Sequence, residues 1–177
     1  MAQAGGSGAN GTIVRAAALV AVPWANGGGI TRVIADRRGA FRLSLATLAD
    51  DGPFSPFPGL MRHFALVAGR VGLSGNEAPF PVELDAASAP ITFPGNRAVH
   101  AAIAGGPALA LNLMVPVDAA PLRLERCNDG VVRNGLAVFA CEDVAVDQAS
   151  GRVMLAPHDT LFPAGSFRVT GRALVVR

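Results

Sequence analysis

Val22-Pro23-Trp24-Ala25-Asn26-Gly27-Gly28-Gly29-Ile30-Thr31-Arg32 is the stretch from which the fold is read. It joins the one tryptophan to three consecutive glycines and an arginine set among aliphatics. Glycines in a row let the backbone take positive φ and approach another strand or a ligand closely. Ile30 to Ala35 then reads as a strand. Side chains alternate along a strand, so Arg32 is expected on one face with Ile30 and Ile34. A guanidinium on an apolar face needs an anion, because burying it unpaired is costly. That anion is either a carboxylate of the protein or a bound small molecule.

Working outward, the same period of two recurs. Phe41-Arg42-Leu43-Ser44-Leu45 alternates, and so does Arg62-His63-Phe64-Ala65-Leu66-Val67. Further strands are expected at Val82–Leu84, Ile91–Phe93, Ala108–Met114, Leu136–Val146, Val153–Ala156, Thr160–Phe162 and Phe167–Val176. Turn signals separate them: Ser74-Gly75-Asn76, Pro94-Gly95-Asn96, Gly105-Gly106-Pro107, Asn128-Asp129-Gly130, Asn134-Gly135 and Ser150-Gly151. With 13 prolines and 21 glycines and no long amphipathic pattern, the chain reads as all-β, an antiparallel sandwich or barrel. Ala16 to Val22 is expected to be a first buried strand. Residues 1–11 are small and polar and read as a disordered tail. Residues 12–177 read as a single β domain, with a two-sheet pseudo-repeat breaking near 115–130 as the variant of that reading.

Composition narrows the function. A net charge of +2, with scattered basic residues, makes no case for nucleic acid. No apolar run reaches the 18 or so residues of a membrane helix. All 15 basic residues are arginine, which excludes lysine Schiff-base chemistry and a P-loop. Cys127 and Cys141 are too few for a disulfide framework and read as reduced thiols of a cytoplasmic protein. His63, His100 and His158 are isolated, with no ligand-like spacing, so no metal and no cofactor are expected. Ser55 has no Gly-x-Ser-x-Gly elbow around it, and adjacent His158 and Asp159 point apart on a strand. No catalytic residue is assigned.

The polar residues in phase with apolar ones are the candidates for binding. Arg62 shares a face with Phe64 and Leu66. Asn112 shares one with Ala108, Ala110 and Met114. Ser44 is in phase with Arg42. Between these runs lies Asp51-Gly52-Pro53-Phe54-Ser55-Pro56-Phe57-Pro58-Gly59, stiffened by proline and presenting two phenylalanines and a serine, a plausible pocket wall. Each has a structural alternative: the arginines could meet internal carboxylates, Asn112 a loose backbone group, and Trp24 and the phenylalanines the core.

Taken in order, Pro23-Trp24-x-Asn26-Gly27-Gly28-Gly29-x-Thr31-Arg32, Arg42-Leu43-Ser44-Leu45-Ala46, the 51–59 loop, Arg62, Phe93-x-Gly95 and Asn112-Leu113-Met114 resemble the HutD/Ves family over residues 22 to 114. Agreement is fainter from Pro121 onward. The resemblance implies a cupin-like, RmlC-like jelly-roll β-barrel or a double-cupin arrangement in a short chain. It also implies a link to histidine utilisation and its regulation, with a small acidic intermediate such as formylglutamate as ligand. By motif, the family pattern carries over to Trp24, Asn26, Thr31, Arg32, Ser44, Ser55, Phe57, Arg62 and Asn112.

The leading expectation is therefore a non-metal cupin that binds a small carboxylate as a metabolic sensor. Arg32 and Arg62 would grip the acid, Asn26, Ser44, Ser55 and Asn112 would add neutral hydrogen bonds, and Trp24 and Phe57 would shape the wall. A cupin-fold isomerase or lyase with His63 or His100 as base is the second reading. A structural module that packs on a partner, in a homodimer, is the third.

Overall fold

The computed structural model describes residues 11–177, so the expected tail lies outside the described residues except for Gly11. In chain order the elements begin with β1 (Thr12–Val14), a 3₁₀ turn (Ala16–Ala18), β2 (Ala21–Pro23), β3 (Gly29–Arg37), β4 (Phe41–Leu48), β5 (Gly52–Pro53) and β6 (Leu60–Ser74). They continue with β7 (Val82–Asp85), β8 (Ile91–Pro94), β9 (His100–Pro116), β10 (Leu124–Val132), β11 (Ala137–Ala140), β12 (Val144–Gln148), β13 (Gly151–Leu155), β14 (Thr160–Phe162) and β15 (Phe167–Val176). The chain divides into two compact units: Val20–Leu122, and residues 11–19 together with Arg123–Arg177.

The Val20–Leu122 unit is an eight-stranded antiparallel sheet ordered β2-β3-β4-β9-β6-β7, with β5 on β9 and β8 on β6. Its two longest strands, β6 and β9, bend where Gly105 and Gly106 take positive φ and the β6 register shifts around Ala68. Gly69 is required at that corner, since a Cβ there would sit 2.9 Å from the Ala108 Cα. Gly105-Gly106-Pro107 thus bends a strand where the sequence predicts a break. One face of the sheet carries the core: Leu48, Phe64, Leu66, Val71, Leu73, Phe80, Phe93, Val99 and Ala110. On the other face Leu43, Leu45, Leu111 and Leu113 are also buried.

The second unit is a seven-stranded sheet ordered β1-β14-β11-β15-β12-β13, with β10 on β15. Val138, Val144, Val146, Leu155, Leu161, Val169 and Val175 form its core. Residues 11–19 join it by two ties. β1 pairs with β14, and Arg15 donates to the Asp159 carboxylate at 2.7 Å. Burial raises the Asp159 carboxyl, but donation from the Ala16 amide, Arg15 and the Ala156 amide overrides it and holds the group below its ordinary range.

Three expectations need correction here. Ala16 to Val22 is not a buried strand: it is a 3₁₀ turn followed by the exposed edge strand β2, with Val20 and Val22 77% and 55% exposed. Pro23 cannot donate to a second neighbour, which suits it to an edge. Leu136–Val146 is two strands, parted at residues 141–143. Asn128-Asp129-Gly130 is no turn. It is a bulge inside β10, with Asp129 at φ 72 and its carboxylate accepting the Gly171 amide at 2.8 Å. Among the described residues no helix is long and apolar enough to cross a membrane. Cys127 and Cys141 are free, and burial pushes both thiols up.

Candidate functional site

A cavity of about 190 Å³ opens on the core face of the eight-stranded sheet. Three rows of cross-strand neighbours build its floor. Arg42 on β4 lies opposite Met114 on β9, and Met114 lies opposite Arg62 on β6. One step along, Ser44 lies opposite Asn112, which lies opposite Phe64. Two residues further, Thr31, Ala46, Ala110 and Leu66 form the third row. The strand period of two puts Arg42, Ser44, Ala46 and Leu48 on one face, so the floor grades from cationic through neutral polar to apolar. The 51–59 loop supplies Phe54, Ser55 and Phe57 as the wall, and Trp24 closes the apolar end.

Local chemistry places each wall residue. The Trp24 indole N–H donates to the Thr31 hydroxyl at 2.7 Å. Its ring lies on Gly29, where a Cβ would come within 3.1 Å of the indole and collide with the Thr47 carbonyl. The third glycine of the triplet is therefore a packing requirement. Phe57 is held by its amide donating to the Gly95 carbonyl and by the Gly95 amide donating to the Leu60 carbonyl, both 2.7 Å. A side chain at Gly95 would meet the Phe57 carbonyl at 2.5 Å. The Phe-x-Gly motif is thus the seat of the loop.

Arg62 is the unusual group. It is 5% exposed, and its one hydrogen bond among the described residues runs from Nη2 to the Ser55 carbonyl at 3.0 Å. Its Nε–H is buried without an acceptor. Rings of Phe54, Phe57 and Phe93 surround the guanidinium, with centroids 4.9, 5.3 and 5.7 Å from Cζ. Burial, with no opposing charge, pushes its pKa down to about 10. It is still protonated at neutral pH, and aromatic faces offset only part of that cost.

Of the nine residues singled out from sequence, the structure gathers seven around this cavity: Trp24, Thr31, Ser44, Ser55, Phe57, Arg62 and Asn112. Arg32 is elsewhere. Thr31 faces the cavity, so its neighbour must face away, and Arg32 donates to the Thr47 hydroxyl at 3.4 Å. Further along β3, Ile34 falls at the β3–β4 register shift between Val33 and Ala35. Asn26 is exposed and its carboxamide oxygen accepts the Gly28 amide at 3.1 Å, an Asx turn that uses the side chain locally. The sequence reading passed over Arg42, whose alternation with Ser44 was the available signal. Ala46, Leu48, Leu60, Phe64, Met114 and the expected wall residue Phe54 complete the lining.

None of the lining side chains is His, Cys, Asp or Glu. His63 lies on the opposite face of β6 from Arg62, buried, with Nδ1 2.8 Å from the Thr92 hydroxyl. Burial pushes its pKa down. His100 is exposed on β9, and His158, in the other unit, stacks on Phe139. Among the described residues, the cavity therefore offers cations, neutral donors and aromatic walls.

A family model described as HutD matches residues 16–174. The structure of HutD from Pseudomonas fluorescens SBW25, in a formate condition, is similar with a TM-score of 0.79 at 28% identity, covering 94% of this chain and 96% of that one. A conserved protein of unknown function from Pseudomonas aeruginosa PAO1, PA5104, is similar with a TM-score of 0.77 at 30% identity, covering 93% and 95%. Oxalate decarboxylase from Lactobacillus farciminis, a formate complex, shares the fold at 8% identity, with a TM-score of 0.67 over 97% and 87% of the two chains. No curated protein matches the sequence. The fold is cupin-like and all-β, as the motifs implied.

Proposed function

We propose a function from the premise that this chain belongs to the HutD family: the cavity beside Arg62 binds a small carboxylate, and the protein acts as a sensor or regulator in histidine utilisation. The supporting observation is a protonated, buried guanidinium that, among the described residues, has one backbone hydrogen bond, an Nε–H lacking an acceptor and no counter-ion. A carboxylate ligand supplies both the missing acceptor and the missing charge, by a charge-assisted pair of the strong kind. Ser44 and Asn112 lie one row away and suit a neutral polar group such as an amide. A formylglutamate-like acid carries both features. Cations, hydroxyls and an amide in the lining suit the binding of an acid.

The test is titration calorimetry with formylglutamate, glutamate and urocanate on the wild-type chain and on Arg62→Ala. At least one acid should bind the wild type, with affinity reduced a hundredfold or more in the variant. Absence of binding by all three, or equal binding by the variant, would overturn the reading.

A further inference from the structure

The cavity contains a second arginine whose Nε–H is buried without an acceptor, Arg42. It stands at the same level of the sheet as Arg62, each opposite Met114 from either side. Two strand spacings, about 9.5 Å, separate their backbones, a gap that two arginine side chains can close over Met114. The two environments differ. Arg62 is sealed among phenylalanines, while the Arg42 side chain is 42% exposed at the mouth. Arg42 also has a neighbour of opposite charge: Asp36 is its cross-strand partner on β3. Their closest approach, Nε to Oδ2, is 4.0 Å, too long for a hydrogen bond. Asp36 therefore attracts Arg42 without satisfying its N–H.

We propose that Arg42 is a second anion receptor of this cavity, and that Asp36 is a positioning residue that competes with the ligand for it and so sets how strongly a second carboxylate is held. This rests on the reading of the cavity as a carboxylate site. A ligand with one carboxylate engages Arg62 and leaves the Asp36–Arg42 pair as it is. A ligand with two carboxylates on a short chain can engage both arginines, and Arg42 must then leave Asp36. The pair is half-solvated and loosely matched, a class that holds its partners weakly, so the exchange is easy. Residual attraction at 4 Å in a largely aqueous setting corresponds to roughly three- to tenfold in affinity.

The experiment is titration calorimetry with glutarate and butyrate, butyrate being glutarate with its second carboxylate replaced by hydrogen. Asp36→Asn should tighten glutarate three- to tenfold and leave butyrate within twofold, while Asp36→Glu should behave as wild type. Arg42→Gln should weaken glutarate at least tenfold and spare butyrate. Adding Asp36→Asn to Arg42→Gln should change nothing further, a non-additivity that a merely structural or long-range charge effect would not produce. Glutarate binding that depends on Arg62 yet ignores Arg42, or an Asp36→Asn effect of equal size with and without Arg42, overturns this inference and leaves the carboxylate site standing. Failure of both acids to bind a wild type that binds formylglutamate, glutamate or urocanate overturns this inference alone, and failure of all five acids overturns the two together.

Discussion

Replacing Arg62 by methionine removes a buried cation and keeps an unbranched side chain of similar volume. Burial brings the guanidinium from the ordinary arginine value down to about 10, a loss of some two and a half powers of ten in proton affinity. At about 1.36 kcal/mol per tenfold, holding the charge at pH 7 costs about 3 kcal/mol. Against this stand three aromatic faces at 4.9 to 5.7 Å, contributing on the order of 0.5–1 kcal/mol each. The hydrogen bond to the Ser55 carbonyl adds about 1.5 kcal/mol. The terms nearly cancel, so Arg62→Met should change the stability of the ligand-free protein by no more than about 1 kcal/mol. Breaking a structural buried ion pair costs about 3–5 kcal/mol instead, so the two roles are well separated. Urea denaturation of both proteins measures the difference, and the thermal midpoint should move by no more than about 4 °C. A ligand at a hundred times its dissociation constant stabilises the wild type by about 2.7 kcal/mol, and this increment should vanish in the variant. A ligand-free loss of 3 kcal/mol or more would refute the reasoning, because it would mean that Arg62 is held by an internal partner.

Other consequences follow from the same geometry. Asn112→Asp places a carboxylate one row from Arg62; this internal anion should weaken acid binding at least tenfold in calorimetry without lowering the urea midpoint. Gly29→Ala sets a methyl group against the Thr47 carbonyl and the Trp24 ring; it should cost about 1–3 kcal/mol and shift the emission of the single tryptophan. His63 is pushed below its ordinary value by burial, so its unfolded form takes up a proton first as pH falls. Stability should be at its plateau above about pH 6.5 and decline as pH drops below that value toward the folded pKa. Urea midpoints between pH 8 and 5 should show a steeper decline for wild type than for His63→Gln.

Much of the site was legible because the strand period is local. Arg62 with Phe64, and Asn112 with Ala110 and Met114, share a face whatever the strand pairs with. The same rule, applied to neighbours, already separates Thr31 from Arg32: adjacent residues on a strand cannot both face one cavity. Turn chemistry was less reliable. Asn128-Asp129-Gly130 and Gly105-Gly106-Pro107 have the composition of loops, yet they became a bulge and a bend, since positive φ serves a kinked strand as well as a reversal.

Residue types and their alternation determined that this chain forms an antiparallel β fold, and that a cation and an amide stand on apolar strand faces. They could not say which strands become neighbours, because register is a relation between segments far apart in sequence. Tertiary structure alone put β9 between β4 and β6, and thereby set Arg42 and Arg62 on either side of Met114. It alone turned Arg32 away from them, and it left the Arg62 charge in a pocket of phenylalanines with no carboxylate partner among the described residues.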